Sequence, residues 1–563
     1  MNLTEEQRKI IEETTTNKNG KYSIAAVAGS GKSFTIFQAI DYIKQHEPNA
    51  KILYIVFNKA NQLSARQKLY EYSIWDYPVE VSTAHSFAYR KWQSAFGKFE
   101  AKEKFEWSII REIKEQHWKA DVKFSKRKPF DWLLDEYCSS KFTLDTFCEN
   151  MKLCFDDDYE GPHKAEDIFI VNNKGTKLSR FGIQTDVYSY VSKEHIDVFK
   201  DVYEEHVKRR LFTHGMYLKH AAYSNKTGGS KYDYVFFDEA QDSNYFMLKL
   251  LEKQAIGKIY FVGDERQSIY KFGGSSENVF ETYDFDKTYT LSKSFRFGDG
   301  VAKLANEIVH MHSSQTCYGT PQTHQNNPNS YARLYRTNAK LFKDALDLAY
   351  SYKCKKEKVK IDFMKGIDDD SYKYQELLSF LKIYYRSMKF GYYCNIKEAF
   401  PAAVVPSLMN FEKLVLERGF LNAYNEMYDD LSDDIHSMYN YAVNENAFLE
   451  KYNALKECLA EQSPDKIITM ITMHRSKGLE WDNVVIAEPT KLYYEDKEGV
   501  IRRNTNYKQE LNLAYVAVTR ARKFLSAIRL QDELCREDLK FEDMDFIIKE
   551  PDCIEEMSIE VAC

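Results

Sequence analysis

Short runs of apolar, aromatic and β-branched residues recur through the first half of the chain and predict buried strands. The runs are YSIAAV (22–27), KILYIVF (51–57), VEVST (79–83), YDYVFFDE (232–239) and KIYFVGD (258–264). Continuous runs of this kind are typical of strands buried on both faces of a parallel sheet. The helix-like segment TIFQAIDYIKQ (35–45) follows the first run. This alternation predicts an α/β fold built on a parallel sheet.

A second set of strand-like runs occupies the other half of the chain. Its members are KTYTLS (287–292), YARLYR (331–336), VKIDF (359–363), IITMITM (467–473), NVVIAE (483–488) and FLSAIRL (524–530). The polar stretch TPQTHQNNPNS (320–330) is typical of a loop. The second set therefore predicts a second α/β domain.

Each predicted α/β domain is interrupted by a segment of different character. The residues between VEVST and YDYVFFDE are rich in Lys, Trp, Tyr and Phe and have helical periodicity, as in FEWSIIREIKEQHWK (105–119). Residues 387–464 also have helical periodicity and carry no strand signal. The predicted organisation is a first domain of 1–88 and 212–290 with a helical insertion at 89–211, a second domain of 291–386 and 465–529 with a helical insertion at 387–464, and a tail at 530–563.

The net charge of −6 is unevenly distributed along the chain. The tail, residues 530–563, carries 12 Asp and Glu against 3 Lys and Arg, a balance of −9, so the remainder of the chain is at +3. Residues 90–128 carry 12 Lys and Arg against 6 Asp and Glu. That basic region could contact phosphates or could be a solvated helical surface. The acidic tail could be disordered, contact a partner or mimic a nucleic acid.

The first residues, MNLTEEQRKI, have no apolar leader core, and no apolar stretch reaches the roughly 18 residues that a membrane span needs. We therefore expect a cytoplasmic protein without a membrane partner. The ten cysteines form no CxxC pair, and the nearest group, Cys138, Cys148 and Cys154, is spaced too loosely for a usual zinc site. Free thiols are the simpler interpretation.

The segment AAVAGSGKS (25–33) is a candidate phosphate-binding loop. It differs from the pattern G-x-x-x-x-G-K-[ST] only at the first glycine, which is Ala26. The backbone N–H groups from Gly29 to Lys32 can still surround phosphates at the start of a helix. Lys32 would reach the β- and γ-phosphates, and the Ser33 hydroxyl would ligate Mg²⁺. A purely structural glycine loop is the alternative.

The segment VFFDEAQD (235–242) ends a predicted strand with two carboxylates. Asp238 would hold Mg²⁺ through water, and Glu239 would take a proton from the attacking water. An acid-rich helix start is the alternative. Because this motif and the glycine loop both stand at predicted strand ends, together they favour a nucleotide site.

Five segments together resemble the UvrD/Rep branch of superfamily-one DNA helicases. They are AVAGSGKS, DEAQD, VGDERQSIYKFGG (262–274), TMHRSKGLEW (472–481) and LAYVAVTRAR (513–522). FNKA (57–60) and TAHSFAYR (83–90) resemble the F-box-helicase-like subgroup, although we expect no F-box segment ahead of the motor. The resemblance implies two RecA-like P-loop motor domains, each with a mainly helical insertion, and ATP bound between them.

The resemblance also implies roles at the nucleotide. Gln7 would read adenine, Phe295 would stack on it and Glu480 would contact the ribose. Gln267 would couple the γ-phosphate to the DNA site, and Arg296 and Arg520 would reach the γ-phosphate, unless they form ordinary ion pairs. The loop positions implied to bind nucleotide are Ala28, Gly29, Ser30, Gly31, Lys32 and Ser33. The family's arginine after the loop has no counterpart in TIFQA.

The family's DNA-contacting positions match four groups of residues in this chain. Tyr270 and Phe272 fall where bases stack. The other matches are Phe57, Asn58 and Lys59, then Thr83, His85 and Ser86, and in the second domain Thr472 and His474. Any single ring could instead belong to a core, and either histidine could be a core or capping residue.

These expectations predict an ATP-dependent DNA helicase or translocase that uses ATP and Mg²⁺ and moves on single-stranded DNA or on DNA with a single-stranded tail. The family direction is 3′-to-5′, and the setting would be DNA repair, recombination or phage or mobile-element DNA metabolism. The small second insertion leaves processive unwinding open, and no nuclease motif follows Arg520. One alternative is a DNA-sensing ATPase subunit that licenses a partner such as a nuclease. Another is a P-loop kinase.

Overall fold

The computed structural model describes residues 3–71, 78–117, 128–153, 170–171, 177–178, 184–185, 193–227, 231–269, 279–310, 316–321, 329–364, 445–495, 501–504, 506–527 and 530. The chain forms two compact units. The first comprises Met1–Arg296, Val309–Thr320 and Tyr493–Asn512, and the second comprises Phe297–Ile308, Pro321–Leu492 and Leu513–Cys563.

The strands are β1 (Gly20–Ala26), β2 (Ile52–Val56), β3 (Val79–Thr83), β4 (Glu100–Lys102), β5 (Ile170–Val171), β6 (Lys177–Leu178), β7 (Gln184–Thr185), β8 (Leu211–Thr213), β9 (Tyr232–Asp238), β10 (Ala255–Gly263), β11 (Lys287–Leu291), β12 (Ser330–Tyr335), β13 (Val359–Phe363), β14 (Lys466–Thr472), β15 (Trp481–Ile486), β16 (Tyr493–Glu495), β17 (Ile501–Arg503) and β18 (Ala521–Ser526).

The helices are α1 (Glu5–Thr16), α2 (Lys32–His46), α3 (Lys59–Glu71), α4 (Ala84–Phe96), α5 (Trp107–His117), α6 (Lys128–Ser139), α7 (Leu144–Leu153), α8 (Lys193–Lys208), α9 (His214–Tyr223), α10 (Tyr245–Gln254), α11 (Val279–Thr282), α12 (Asp299–His310), α13 (Asn338–Lys355), α14 (Glu445–Ala460) and α15 (Tyr507–Val518). None of the helices in the described part of the chain has the length and hydrophobicity of a membrane span.

The first unit is built on a six-stranded parallel sheet in the order β11-β1-β10-β9-β2-β3. The five strands predicted for the first domain are confirmed as members of this sheet. Alternate residues of β2 pack into two different cores, with Leu53 in one and Tyr54 in the other, so both faces are covered. Because the strands are parallel, their carboxyl ends meet at one edge, where ligands bind in open α/β sheets.

The placement of KTYTLS in the second set of strands is wrong. Residues Lys287–Leu291 form β11, which pairs with β1 as an edge strand of the first sheet. The Asp286 carboxylate accepts a hydrogen bond from the Lys21 backbone at 2.8 Å, and the Tyr289 hydroxyl donates to Glu13 of α1 at 2.6 Å. An apolar run identifies a strand but not its partner, because strand pairing depends on contacts far apart in the sequence.

The first insertion is mainly helical where it is described, as predicted. Helices α5 to α8 supply most of it, and their buried aromatic residues, including Phe130, Phe147 and Phe199, join one core of the first sheet. Short strands are also present: β4 pairs with β8, and β5, β6 and β7 form a small antiparallel sheet. The exact boundary of the insertion stays a prediction.

The second unit contains a five-stranded parallel sheet in the order β13-β14-β12-β15-β18. The remaining five strands of the predicted second set form this sheet, so the second α/β domain is confirmed. Within the predicted second insertion, α14 is helical, while residues 387–444 lie outside the described part of the chain, as do residues 322–328 of the predicted loop and 531–563 of the acidic tail.

Candidate nucleotide site and nucleic-acid interface

Two glycines in the loop between β1 and α2 adopt backbone conformations with positive φ, which other residues rarely adopt. Gly29 has φ +73° and Gly31 has φ +78°, values that side chains disfavour. A Cβ atom on Gly29 would lie 2.5 Å from the Arg296 Cβ atom and 2.7 Å from the Ser294 Oγ atom. The loop ends at Lys32, where α2 begins and its first N–H groups lack intrahelical acceptors. This start of a helix suits a phosphate group.

Ala26 replaces the usual first glycine without disturbing the loop. It is the last residue of β1 and pairs in register with Leu291 of β11. Its side chain is fully buried in the core of the first unit. A residue in an ordinary strand conformation needs no glycine, so the part of the motif that surrounds phosphates begins after it.

The two carboxylates at the end of β9 lie directly beside the glycine loop. The Lys32 Nζ atom is 3.2 Å from the Glu239 Oε1 atom. The Ser33 hydroxyl donates to the Asp238 Oδ2 atom at 3.2 Å. Four predicted catalytic or metal-binding residues therefore meet at one edge of the sheet, although Ser33 and Asp238 are 205 positions apart in the sequence.

Glu239 adopts a strained backbone conformation. Its φ is +54° and its ψ is +40°, in the left-handed region that costs a residue with a side chain about 1–2 kcal/mol. The Gln241 Nε2 atom donates to the Glu239 Oε2 atom at 2.5 Å. Such strain is common at functional sites and here turns Glu239 out of the strand direction toward Lys32.

The charges of this cluster shift its pKa values. Burial raises the pKa of Asp238, the neighbouring Glu239 carboxylate raises it further, and Lys32 opposes both effects. Burial disfavours the ammonium of Lys32, but Glu239, Asp238 and Asp264 outweigh that effect and raise its pKa. Lys32 therefore keeps its positive charge at neutral pH, as a phosphate ligand requires.

The oxygen atoms around Asp238 fit a magnesium ion. Mg²⁺ prefers carboxylate, hydroxyl and water oxygens, and Ser33 and Asp238 supply the first two within hydrogen-bond distance of each other. The Tyr54 hydroxyl also donates to Asp238 Oδ2, at 2.9 Å. The motifs did not identify Tyr54, and only the alternation of buried residues along β2 could have placed it on the same side as the site.

A second hydrogen-bonded turn connects the acidic pair to Gln267. The Asp264 carboxylate accepts from Gln267 Nε2 at 2.9 Å and from Arg266 Nε at 2.7 Å. The Gln241 side chain accepts from the Asp264 backbone at 3.2 Å. Gln267 is thus linked through Asp264 and Gln241 to Glu239, and no sequence motif gives a role to Asp264, Arg266 or Gln241.

The predicted adenine-binding residues lie next to the glycine loop. Gln7 is buried in a capping box with Thr4, and its Nε2 atom points to the Ser30 carbonyl oxygen at 3.5 Å. The Phe295 backbone donates to the Gly29 carbonyl at 2.9 Å, while its ring is 45% exposed. A Cβ atom on Gly31 would lie 3.2 Å from Gln7 Nε2 and 3.9 Å from the Phe295 ring. An exposed ring beside a buried amide is suited to a planar base. Ala28 and Ser30 are fully buried within the loop.

Two predicted nucleotide residues lie in the second unit. The Arg520 side chain is buried, and it donates from Nε to the Val516 carbonyl at 2.8 Å and from Nη1 to the Leu479 carbonyl at 3.1 Å. Glu480 is exposed and its Oε1 atom lies 3.7 Å from Arg522 Nη1. Arg520 therefore takes part in the packing of its own unit, and the γ-phosphate and ribose roles of Arg520 and Glu480 stay predictions.

The predicted DNA-contacting residues of the first unit follow two neighbouring strands. Phe57, Asn58 and Lys59 come directly after β2 and are exposed, with Phe57 at 44%. The Thr83 hydroxyl, at the end of β3, caps α4 by accepting from the Ser86 backbone at 3.1 Å. Both groups lie at the sheet edge that carries the nucleotide site. Tyr270 and Phe272 lie outside the described residues.

His85 is held inside the first unit as a neutral ring. Its imidazole lies 5.7 Å from that of His214 at the start of α9 and 6.4 Å from the Tyr217 ring. Burial, with a smaller contribution from His214, lowers the pKa of His85 to about 4. In the second unit, Thr472 ends β14 and its carbonyl accepts from the Ser476 backbone at 3.0 Å, with His474 between them. DNA contacts by these residues stay a prediction.

Three of the described cations of the basic region 90–128 are paired with carboxylates. The pairs are Arg90 with Glu80 at 2.5 Å, Lys102 with Glu106 at 2.8 Å and Lys104 with Asp131 at 3.2 Å. Such exposed ion pairs are typical of a solvated protein surface. The structure therefore favours that interpretation for these residues over a phosphate-binding patch.

A phosphate loop and an acidic pair at the carboxyl edge of a parallel sheet define the class of P-loop nucleoside triphosphatases. Residues 3–289, more than half of the chain, match the UvrD/REP helicase N-terminal domain, and residues 468–527 match the UvrD-like helicase C-terminal domain. The chain therefore belongs to the UvrD/Rep family of superfamily-one helicases.

Individual relatives agree with this assignment. The chain is 26% identical to F-box DNA helicase protein 1 of Schizosaccharomyces pombe, in an alignment that covers 93% of this chain and 57% of the relative. It is 25% identical to F-box DNA helicase 1 of Gallus gallus, covering 93% of this chain and 48% of that protein. A third relative, ATP-dependent DNA helicase Rep of Buchnera aphidicola, is 22% identical over 55% of this chain and 43% of its own length. The chain thus spans about half the length of these curated relatives.

Proposed function

We propose that this protein is an ATP-dependent DNA helicase or translocase that moves 3′-to-5′ on single-stranded DNA, or on DNA with a single-stranded tail. One observation carries the proposal. Lys32, Ser33, Asp238 and Glu239 meet at the sheet edge from which the exposed segment Phe57–Lys59 emerges. A nucleotide site and a nucleic-acid site at adjacent strand ends can influence each other through the sheet.

At the nucleotide, Lys32 would bind the β- and γ-phosphate oxygens, and the N–H groups from Gly29 to Lys32 would surround them. Ser33 and Asp238 would hold Mg²⁺, which neutralises charge on the β- and γ-phosphates when bound. Glu239 would accept a proton from the attacking water. The pair between Lys32 and Glu239 has to open for this, which frees the carboxylate when phosphate occupies Lys32.

The base and the transition state would use a further set of residues. Gln7 would bind adenine, Phe295 would stack on it, and Glu480 would contact the ribose. Gln267 would sense the γ-phosphate through its link to Asp264. Arg296 and Arg520 would stabilise charge that spreads over the γ-phosphate oxygens. Arg296 supports this role by its position, since its Cβ atom lies against Gly29 of the loop.

The protein would bind single-stranded DNA by stacking aromatic rings on its bases and by contacts to its backbone. Rings such as Phe57, Tyr270 and Phe272 suit a motor because every base has a π-face and no sequence is read. The other proposed contacts are Asn58, Lys59, Thr83, His85, Ser86, Thr472 and His474. The printed names of the relatives, which are DNA helicases, support DNA as the track. We place the activity in DNA repair, recombination or phage or mobile-element DNA metabolism in the cytoplasm.

Steady-state ATP hydrolysis with and without single-stranded DNA tests the proposal. We expect strong stimulation by DNA that is lost in Lys32→Ala and in Glu239→Gln. The matched control is Glu112→Gln, which removes an exposed carboxylate of the first insertion. Hydrolysis that is independent of DNA in the wild type would refute the motor. Tailed duplexes with either polarity then decide the direction.

A second candidate function is a DNA-sensing ATPase subunit that licenses a partner such as a nuclease. The strongly acidic tail, with 12 acidic against 3 basic residues, favours it because such a segment can bind a basic partner surface. Strand displacement separates the two functions. DNA-stimulated hydrolysis without displacement, together with copurification of a nuclease, is the result expected for the licensing subunit.

A further inference from the structure

Tyr54 forms a hydrogen bond with the carboxylate that is proposed to hold the metal. Its hydroxyl donates to the Asp238 Oδ2 atom at 2.9 Å, and the Ser33 hydroxyl donates to the same oxygen at 3.2 Å. The other oxygen, Oδ1, accepts from the Glu239 backbone at 3.0 Å. Three donors therefore fix both oxygens of one buried side chain, and Tyr54 is the donor that no motif includes.

The Tyr54 ring has little freedom to move. It lies on β2, is 1% exposed, and stands beside Phe236 of β9 in the strand register. The Phe37 ring of α2 packs edge-on against it, with centroids 5.7 Å apart and planes at 89°. A hydroxyl on so rigid a support holds its partner in one orientation, because the ring cannot follow a carboxylate that rotates away.

We propose that Tyr54 is a positioning residue for the magnesium site, acting through Asp238. This inference rests on the proposed function, because it assigns Tyr54 a part in that same nucleotide site. Hydrogen bonds from outside the ligand set orient metal-binding side chains, and their loss typically weakens metal binding or activity about 10- to 100-fold. Without the phenol, the Asp238 carboxylate could turn away from Ser33 and leave the two ligand oxygens misaligned.

The position of Tyr54 gives the contact a second consequence. Tyr54 and Phe57 are on the same short segment of chain, Tyr54 within β2 and Phe57 directly after it. The strand that fixes the phenol therefore also ends in the exposed segment Phe57–Lys59, so the metal site and the segment proposed to contact DNA share one rigid element.

Magnesium-dependent nucleotide binding tests the role of Tyr54 without relying on hydrolysis. The probe is ADP carrying an N-methylanthraniloyl fluorophore, titrated once with Mg²⁺ and once with EDTA. We expect Tyr54→Phe to lower the gain in affinity that Mg²⁺ provides by about 10-fold or more, with affinity in EDTA unchanged. The matched control is Tyr260→Phe, which removes a buried hydroxyl of the same sheet that accepts from the Asn17 side chain and donates to the Thr14 carbonyl, away from Asp238. It should keep the wild-type gain.

A double-mutant cycle with Asp238→Ala identifies the path of the effect. If Tyr54 acts through Asp238, then Tyr54→Phe adds no further loss when the carboxylate is already gone. Three results would overturn the proposal. The first is a Mg²⁺-dependent gain in affinity that is unchanged in Tyr54→Phe, and the second is an equal loss of that gain in Tyr260→Phe. The third is a double mutant in which the losses from Tyr54→Phe and Asp238→Ala are fully additive. If Mg²⁺ does not raise the nucleotide affinity of the wild type, the proposed metal site is refuted. If Mg²⁺ raises that affinity but DNA does not stimulate hydrolysis, only the proposed motor function is refuted.

Discussion

The Nζ atom of Lys32 lies 3.2 Å from the Oε1 atom of Glu239, so the proposed phosphate-binding cation and the proposed general base are paired with each other. Both side chains are mostly shielded from water, which makes the attraction stronger than between exposed charges. Under the proposed function, phosphate and Glu239 would compete for the same ammonium group. Binding of a triphosphate would exchange one anion for another at Lys32 and would release the proposed base for water.

Glu239→Gln should separate nucleotide binding from hydrolysis. We expect its affinity for ATP to equal or exceed that of the wild type, because Lys32 loses a competing anion, while hydrolysis falls about 10²-fold or more with the loss of the base. Fluorescent-nucleotide titration and single-turnover hydrolysis measure the two effects. Lys32→Ala should lose both properties. Weaker ATP binding by Glu239→Gln than by the wild type would contradict competition at Lys32.

Gly29→Ala should destabilise the first unit more than a comparable change elsewhere. Gly29 and Gly97 both have positive φ, so alanine strains the backbone at each. At Gly29 the new methyl group also meets Arg296 Cβ at 2.5 Å, whereas at Gly97 it meets only the end of the Arg210 side chain, at 3.3 Å. We expect the unfolding free energy of Gly29→Ala to fall about 1–3 kcal/mol below that of Gly97→Ala in denaturant titrations. Equal losses would show that the close approach carries no strain.

Acid should destabilise the first unit through His85. Burial lowers the pKa of His85 to about 4, whereas an unfolded histidine titrates near 6.5. Between these values the unfolded chain binds the proton more readily, so stability is complete above pH 6.5 and falls as the pH drops toward 4. We expect about 2–3 kcal/mol of acid sensitivity from this residue. His85→Gln should flatten the curve of unfolding free energy against pH, and parallel curves would contradict the assignment.

Arg520 and Arg296 should differ in what their loss does to stability. The Arg520 guanidinium is buried and donates to two backbone carbonyls and to the Thr519 hydroxyl, so Arg520→Ala removes these hydrogen bonds and leaves a cavity in the packed interior. We expect a loss of about 2–5 kcal/mol in the second unit. Arg296 is only partly buried, and Arg296→Ala should lower hydrolysis with a much smaller change in melting temperature. Calorimetry beside hydrolysis rates decides this. An equal fall in melting temperature would count against the distinction.

Phe57→Ala should weaken the grip on single-stranded DNA without unfolding the protein. Stacking of a base on an aromatic ring contributes about 1–3 kcal/mol, or roughly 5- to 150-fold in affinity. Tyr70→Ala is the control, because Tyr70 is a 69% exposed ring on α3 to which we assign no DNA contact. Fluorescence anisotropy of a labelled oligonucleotide measures both variants. If Phe57→Ala binds the oligonucleotide with wild-type affinity, the Phe57 ring does not contact the DNA.

Patterns of residues predicted the strands of both sheets well. The second set of runs was wrong only in the membership of KTYTLS, which joins the first sheet as β11. Its apolar alternation identifies a strand but not the strand with which it pairs. Asp286, Tyr289 and Leu291 determine that pairing, because they contact β1, α1 and the core that contains Tyr54. Those contacts link residues more than 260 positions apart, and no local pattern contains them.

The sequence by itself determined which residues form the candidate nucleotide site. Lys32, Ser33, Asp238 and Glu239 stand in motifs whose spacing is set by a turn between a strand and a helix, so short-range geometry suffices to recognise them. Only the tertiary structure decided that Lys32 pairs with Glu239 and that Tyr54 donates to Asp238 across 184 positions. Those contacts depend on which strands lie side by side and on which face each residue points to. Burial of apolar side chains along the whole chain determines that arrangement, so no single segment of the sequence predicts it.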